Sequence, residues 1–285
     1  MHATVHCIGA LEVIVDVLRS HATHAEFVFC RAGSFCTVQV CAPGLEVRVS
    51  FALIIILRSP IFSFFFFIQG MDHARTVLVN CRLPIKNIDM ERFTVGVNLR
   101  SLHRILRRCE PEAEAEVRVT KDGAHLEIMH HAGAIWKIRL CDLDSEHFKI
   151  PMQDTMLSCL VCWPQKFVAS LCAHALVLSG SGSRWCNVRM NPTSVQLTVV
   201  QENGGGEEGV HGSTRWDADC DAHSGVSAGG VHTVAHQPML SFFRRIPVSM
   251  VRSIRVQSTS VNTLHFLVCI VGGGELCLVL AASIR

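Results

Sequence analysis

The run GVNLRSLHRILRRC, Gly96 to Cys109, carries the pattern from which the fold is read. Asn98 stands at the position of a helix N-cap, where a side-chain oxygen accepts from an exposed backbone N–H. At about 3.6 residues per turn, Leu99, Leu102, Ile105, Leu106 and Cys109 fall on one face of the helix that follows. Arg100, Arg104, Arg107 and Arg108 fall on the other, flanked by His103. Pro111 ends the pattern, because its ring cannot continue a helix. A charged face is usually a solvated one. Here all four charges share one sign and no acid interleaves them, so they repel one another unless an anion is near. The candidate ligand is phosphate. A helix that touches only phosphates reads no sequence and gives weak, salt-sensitive binding. Arg244 and Arg245 follow the last apolar helix pattern and offer a second, smaller basic site.

Strand patterns follow this helix at Glu114–Thr120, His125–His130 and Ile135–Leu140, with Lys121-Asp122-Gly123 as a tight turn. Upstream, Leu11, Ile14, Val15 and Leu18 recur at helical spacing. Phe27–Val40, Leu45–Val49, Thr76–Leu83 and Phe93–Val97 read as strand. Downstream, Asp142–Gln153 is an extended connector punctuated by Pro151. A strand at Leu157–Trp163 then leads into a helix with Pro164 at its first position and Phe167, Val168, Leu171, Cys172 and Ala175 inward. Asn187–Met190 and Val195–Val200 are strands, and Gln201–Gly230 reads as a long mobile loop. Met239, Leu240, Phe242 and Phe243 mark a short helix before strands at Val251–Gln257, Thr263–Ile270 and Leu276–Leu280. A helix followed by a three-strand meander thus occurs twice. The expected architecture is two α+β domains, 1–140 and 154–285, joined by a connecting loop at 141–153.

Composition narrows the function classes. In 285 residues, 49% are apolar and the net charge is only +2, so a basic surface must come from local clustering. The 14 cysteines are irregularly spaced, and Met1–Ala10 has no basic start followed by an apolar run, so reduced, buried thiols are expected. Cys159-x-x-Cys162 lies on a strand pattern without a matching second pair, and core thiols are favoured over a metal half-site. Asp142 and Asp144 read as a solvated acidic edge. His130, His131 and His236 lack a nucleophile and an orienting partner, and no glycine-rich phosphate cradle is followed by Lys and Ser/Thr. A cysteine-nucleophile enzyme is the competing class, and no cysteine has a paired base within sequence reach. No catalytic residue, metal or cofactor is expected.

GVNLRSLHRILRRC resembles the second pore helix of the proliferating cell nuclear antigen family of eukaryotic sliding clamps. LCDLDSEHFKIP, Leu140–Pro151, resembles that family's interdomain connecting loop, and GMDHARTVLV, Gly70–Val79, the strand before its partner pocket. LSFFRR, Leu240–Arg245, and LVLAASI, Leu278–Ile284, are similar to its fourth helix and C-terminal segment. The resemblance implies a two-domain subunit, three of which close a ring with helices lining the hole and antiparallel sheets outside. It implies a nuclear, non-enzymatic processivity factor for DNA replication and repair. Its partners would be duplex DNA, a clamp loader, and polymerases or other clients that insert a short peptide. Carried over by position, Arg104, Arg107 and Arg245 would face phosphate, and the peptide pocket would be lined by Met71, Leu78, Phe148, Ile150, Pro151 and Ala281. The alternative is a subunit of the heterotrimeric DNA-damage checkpoint clamp, which shares the fold. Departures from the family pattern thin the pore charge: Glu12, Val13 and Asp16 on the first helix, Ala169, Ser170 and Ala173 on the third, and Ala281-Ala282 in place of a terminal Ala-Pro.

FALIIILRSPIFSFFFFI, Phe51–Ile68, stands apart. Arg58-Ser59-Pro60 at its centre and its short apolar runs argue against a membrane span. Removing Arg48–Ile68 joins Gly44-Leu45-Glu46-Val47 to Gln69-Gly70-Met71-Asp72 and restores the family pattern. A run of pyrimidine-rich Phe and Ser codons before Gln resembles a translated splice acceptor, so the expectation is a retained intron. If translated, the segment would place aromatic residues beside the peptide pocket and favour aggregation.

Overall fold

The computed structural model describes residues 2–20, 22–31, 40–41, 64–71, 77–86, 92–130, 133–142, 155–178, 185–202, 208–220, 230–260 and 262–282. The chain divides into two compact units: Met1–Met152 with Ile270–Leu276, and Gln153–Cys269 with Cys277–Arg285.

In the first unit the order is β1 (His2–Val5), α1 (Ile8–Leu18), β2 (His24–Arg31), β3 (Val40–Cys41), β4 (Phe64–Met71), β5 (Val77–Lys86), β6 (Arg92–Asn98), α2 (Leu99–Leu106), β7 (Ala115–Val119), β8 (His125–His130) and β9 (Ile135–Arg139). Antiparallel pairing runs β9-β8-β7-β1-β5-β4-β2-β6, with β3 also on β2. The two ends of this order meet at a bridge between Gly96 and Cys141. Buried residues alternate along the strands, as at Val79, Cys81, Leu83 and Ile85, so one face of the pleat is apolar. Phe29 and Phe93, directly opposed on β2 and β6, stack with ring centroids 4.4 Å apart. Helices α1 and α2 pack side by side on this core.

In the second unit the order is β10 (Thr155–Val161), α3 (Pro164–Leu178), β11 (Trp185–Asn191), β12 (Ser194–Glu202), β13 (Glu208–Cys220), β14 (Val231–Ala235), α4 (His236–Arg244), a 3-10 turn at Val248–Met250, β15 (Val251–Thr259), β16 (Thr263–Ile270) and β17 (Glu275–Ala281). Pairing runs β14-β11-β12-β13-β10-β15. Substituting β10, β11, β12, β13, β14 and β15 for β1, β2, β4, β5, β6 and β7 reproduces the corresponding pairings of the first unit. The repetition is therefore one of connectivity, deeper than the helix-and-meander pattern alone. The core centres on Phe167 of α3, whose ring lies 4.5 Å from Trp216, 5.7 Å from Phe243 and 6.4 Å from Phe266, centroid to centroid. Such tilted and edge-on contacts add to the area that aromatic rings bury.

Two expectations change. The mobile loop expected over Gln201–Gly230 contains β13, a 13-residue strand. It pairs with β12 from Ser194↔Asp217 to Glu202↔Glu208 through a register shift at Val199/Val200, and it buries Trp216 and Ala218. Glycine and aspartate content hid that alternation. The helix expected to reach Cys109 stops at Leu106. Phe64–Ile68, part of the anomalous run, is continuous with Gln69–Met71 in β4 and pairs with both β2 and β5; residues 51–63 lie outside the described residues. No helix among the described residues is long and apolar enough to cross a membrane.

Candidate nucleic-acid interface

Asn98 starts α2 from an extended backbone (φ −73°, ψ 116°), and its Oδ1 accepts from the Ser101 N–H at 2.9 Å. Since Oδ1 faces that donor, Nδ2 is left to donate to His24 Nε2 at 3.1 Å. His24 must then carry its proton on Nδ1, which donates to Thr23 Oγ1 at 3.1 Å. The Leu99 N–H also bonds the Thr23 carbonyl, at 2.9 Å. Burial of Leu99, Leu102 and Leu106 then fixes the rotation of the helix.

That rotation leaves Arg100 and Arg104 exposed. Past the helix end, Arg107 N–H bonds the His103 carbonyl at 3.1 Å and Arg108 N–H bonds the Ile105 carbonyl at 2.9 Å, so both arginines occupy a closing turn. They too are exposed, and none of the four guanidiniums is ion-paired with another described residue. His103, expected to flank this face, instead turns inward: it is 8% exposed, with Nε2 3.2 Å from Asp16 Oδ1 on α1. Burial, aided by Arg19, holds its pKa below the usual value against the opposing pull of Asp16, so it adds no charge at neutral pH. Asp16 also accepts from Arg19. Asp16 of α1 is thus engaged beside α2, while the arginines are exposed away from the core.

Arg244 is exposed at the end of α4, and Arg245 is the half-buried C-cap residue. On α3, Ala169 and Ala173 are exposed, and Lys166 Nζ sits 4.9 Å from the ring centre of the exposed Trp163. Of the residues expected at a peptide pocket, Met71 and Leu78 are directly paired across β4 and β5. Ala281 is exposed at the end of β17. Phe148, Ile150 and Pro151 lie outside the described residues, as does most of the connector. Cys159 is buried, with Sγ 3.5 Å from the Asn191 carbonyl, whereas Cys162 is exposed beside Asp219. Cys159 lies in β10 with its thiol buried, and Cys162 lies just past the strand end with its thiol exposed, so the two do not face a common site. Burial pushes the Cys186 thiol up to about 12, far from a nucleophile's range. No cluster fit to hold a metal is found among the described residues.

Sequence reasoning missed one feature. Beside Arg104 the surface sinks into a hollow of about 560 Å3, with Lys137 and Arg139 of β9 also lining it. Its members come from three distant stretches of chain, and no local pattern links them.

No family model matches the sequence, and no curated protein sequence matches it. The backbone does find a match. The crystal structure of proliferating cellular nuclear antigen from Entamoeba histolytica aligns with a TM-score of 0.69 over 99% of this chain and 98% of that one. The chain has the sliding-clamp fold. Identity across that alignment is 13%, so what is shared is the path of the backbone. Within the sliding-clamp fold, the repeated pairing scheme of the two units accounts for twelve of the seventeen described strands.

Proposed function

We propose that this protein is a DNA sliding clamp: a nuclear homotrimer that closes around duplex DNA and tethers polymerases and other replication and repair proteins. The observation that carries the reading is the row of exposed arginines on α2 and its closing turn, without ion pairs among the described residues and held outward by a buried leucine seam, in a chain of sliding-clamp fold. The function is topological and needs no catalytic group. A closed ring cannot leave its DNA, so each phosphate contact can stay weak and the ring can slide.

An open sheet edge supports self-association. Leu140 N–H bonds Ala124 on the β8 side while Cys141 N–H bonds Gly96 on the other. By that alternation, the peptide groups of Lys137 and Arg139 face away from β8, where no described strand pairs with them along β9. An unpaired edge of this kind is a line along which a second chain can dock. A clamp loader would open the ring, and client peptides would enter a pocket formed by Met71, Leu78, Phe148, Ile150, Pro151 and Ala281.

Arg104→Glu with Arg107→Glu tests the reading. The slope of log affinity for duplex DNA against log salt concentration should fall by about 2, at roughly 0.9 per phosphate contact, with the assembly mass unchanged. An unaltered slope would remove α2 from the interface.

The exposed Ala169 and Ala173 on α3 favour a second reading, a checkpoint-type heterotrimer whose DNA contacts are shared unequally. Light scattering separates the two. A mass three times the 31.4 kDa of the chain supports the homotrimer, and a monomer that assembles only with foreign subunits supports the heterotrimer.

A further inference from the structure

We propose that Trp163 is the centre of a socket that receives the β8–β9 turn of a second copy of this chain. The inference rests on the self-association reading above and names the two unlike faces that meet. It comes from a seat that is filled in the first unit and open in the second.

In the first unit the turn between β16 and β17 lies on the start of α1. A Cβ at Gly272 would be 2.6 Å from Cys7 Sγ, and one at Gly273 would be 3.0 Å from Pro84 Cγ. Glu275 Oε2 then reaches Arg82 Nη1 at 3.6 Å. Cys7 is the residue before α1, and its carbonyl accepts from the Leu11 N–H at 3.2 Å. Its counterpart before α3 is Trp163, whose carbonyl accepts from the Phe167 N–H at 3.0 Å. Val5 pairs with Ile85 in the first unit and Val161 with Ala218 in the second, so Pro84 and Arg82 correspond to Asp217 and Arg215. All three counterparts are exposed, Trp163 by 59%, and neither Asp217 nor Arg215 has an ion pair with another described residue. Exposed Val248, on the 3-10 turn packed against α3, adds apolar surface. Lys166 Nζ, 4.9 Å from the indole centre, steadies the ring. A large aromatic ring left in water gains free energy when a partner covers it.

The first unit carries a second turn of the same form. Between β16 and β17, the Ile270 N–H bonds the Gly274 carbonyl at 2.8 Å and the Gly273 N–H bonds the Ile270 carbonyl at 3.2 Å. Between β8 and β9, the His130 N–H bonds the Ala134 carbonyl at 3.0 Å and the Gly133 N–H bonds the His130 carbonyl at 2.9 Å. The φ angles are +82° at Gly273 and +80° at Gly133. A Cβ at Gly133 would meet nothing within 4 Å, and Ile135, the counterpart of Glu275, is 53% exposed. One unit thus offers an unseated turn and the other an unfilled socket, and a second copy satisfies both. The contact is more apolar than its template: Ile135 stands where Glu275 meets Arg82, and lies against the methylene stem of Arg215. Because the two faces differ, the contact runs head to tail and can close into a ring.

Light scattering of the full chain across a dilution series tests this. Trp163→Asp and Ile135→Asp should each raise the dissociation midpoint by about tenfold or more, as loss of an interface anchor does. Trp163→Phe should keep most of the wild-type assembly. The two aspartate variants, mixed, should form a one-to-one complex of twice 31.4 kDa, because each keeps the face the other has lost. A wild-type midpoint in Trp163→Asp, or a mixture that stays monomeric, would overturn the socket. A second measurement does not depend on how the aspartate variants fold. The emission of Trp163, taken as wild type minus Trp163→Phe, should move to longer wavelength as the assembly is diluted apart, and an unchanged emission would overturn the socket. A wild type that is monomeric at every concentration removes the homotrimer and the socket together, whereas a wild-type trimer indifferent to these variants removes the socket alone.

Discussion

Asn98 Nδ2 donates to His24 Nε2 across 3.1 Å while Oδ1 of the same amide caps α2 through the Ser101 N–H at 2.9 Å. One side chain thus ties the first turn of the arginine-bearing helix to β2. Asn98→Ala removes the cap, which costs about 1 kcal/mol, and leaves the His24 acceptor without its donor. Urea denaturation at neutral pH should show a loss of about 1–2 kcal/mol. Asn98→Asp keeps the cap but cannot donate to neutral His24, so its loss should be smaller.

Acid should weaken the fold in two separable windows. Burial holds the His265 pKa down at about 4, against an ordinary value of 6.5. Folding therefore favours the neutral ring, and the stability it lends is complete above pH 6.5 and lost as pH falls toward 4. The size of that loss is about 3 kcal/mol, at roughly 1.4 kcal/mol per pH unit. Burial lowers His103 and His232 as well, and they act in the same direction. Bonds from Lys137 and Arg118 hold the Glu127 carboxyl below the ordinary 4.5, so its contribution is complete above that pH and is lost only as pH falls below it. Unfolding curves across pH should show His265→Gln flattening the upper window and Glu127→Gln the lower one.

The turn between β16 and β17 admits no side chain at Gly272. Its φ is +88°, and a Cβ there would lie 2.6 Å from Cys7 Sγ and 2.8 Å from Cys7 Cβ. Gly272→Val combines left-handed backbone strain with a steric clash at the start of α1, and each costs on the order of 1–3 kcal/mol. A matching drop in unfolding free energy, relieved partly by Cys7→Gly, is the expected result.

The α2 signal was legible because it is local. Cap, apolar seam and charged face all lie within one run of eleven residues, Asn98 to Arg108, and helical geometry alone sorts them. The inward turn of His103 was not legible, because it depends on Asp16, far away in sequence. β13 was missed for a related reason: Glu208–Cys220 is rich in residues that favour loops, and only its long pairing with β12 and the burial of Trp216 against Phe167 make it a strand. The hollow gathers His24, Arg104 and Arg139, and only the folded chain brings them together.

The register of β4 sharpens the expectation about the anomalous segment. Phe65–Ile68 lies opposite Pro84–Cys81 on β5, directly ahead of Gln69–Met71. Excision of Arg48–Ile68 would bring Gly44–Val47 into those four positions with no shift of register. Sequencing of the mature transcript should therefore find Val47 followed directly by Gln69. Retention of the intervening codons in every transcript would defeat the intron reading.

Electron microscopy of the assembled protein bears most directly on the proposed function. The expected image is a threefold ring whose central hole accepts duplex DNA, with the Arg104 and Arg107 side of α2 on its inner wall. A particle without a hole, or a ring in which that side of α2 packs against protein, would contradict it.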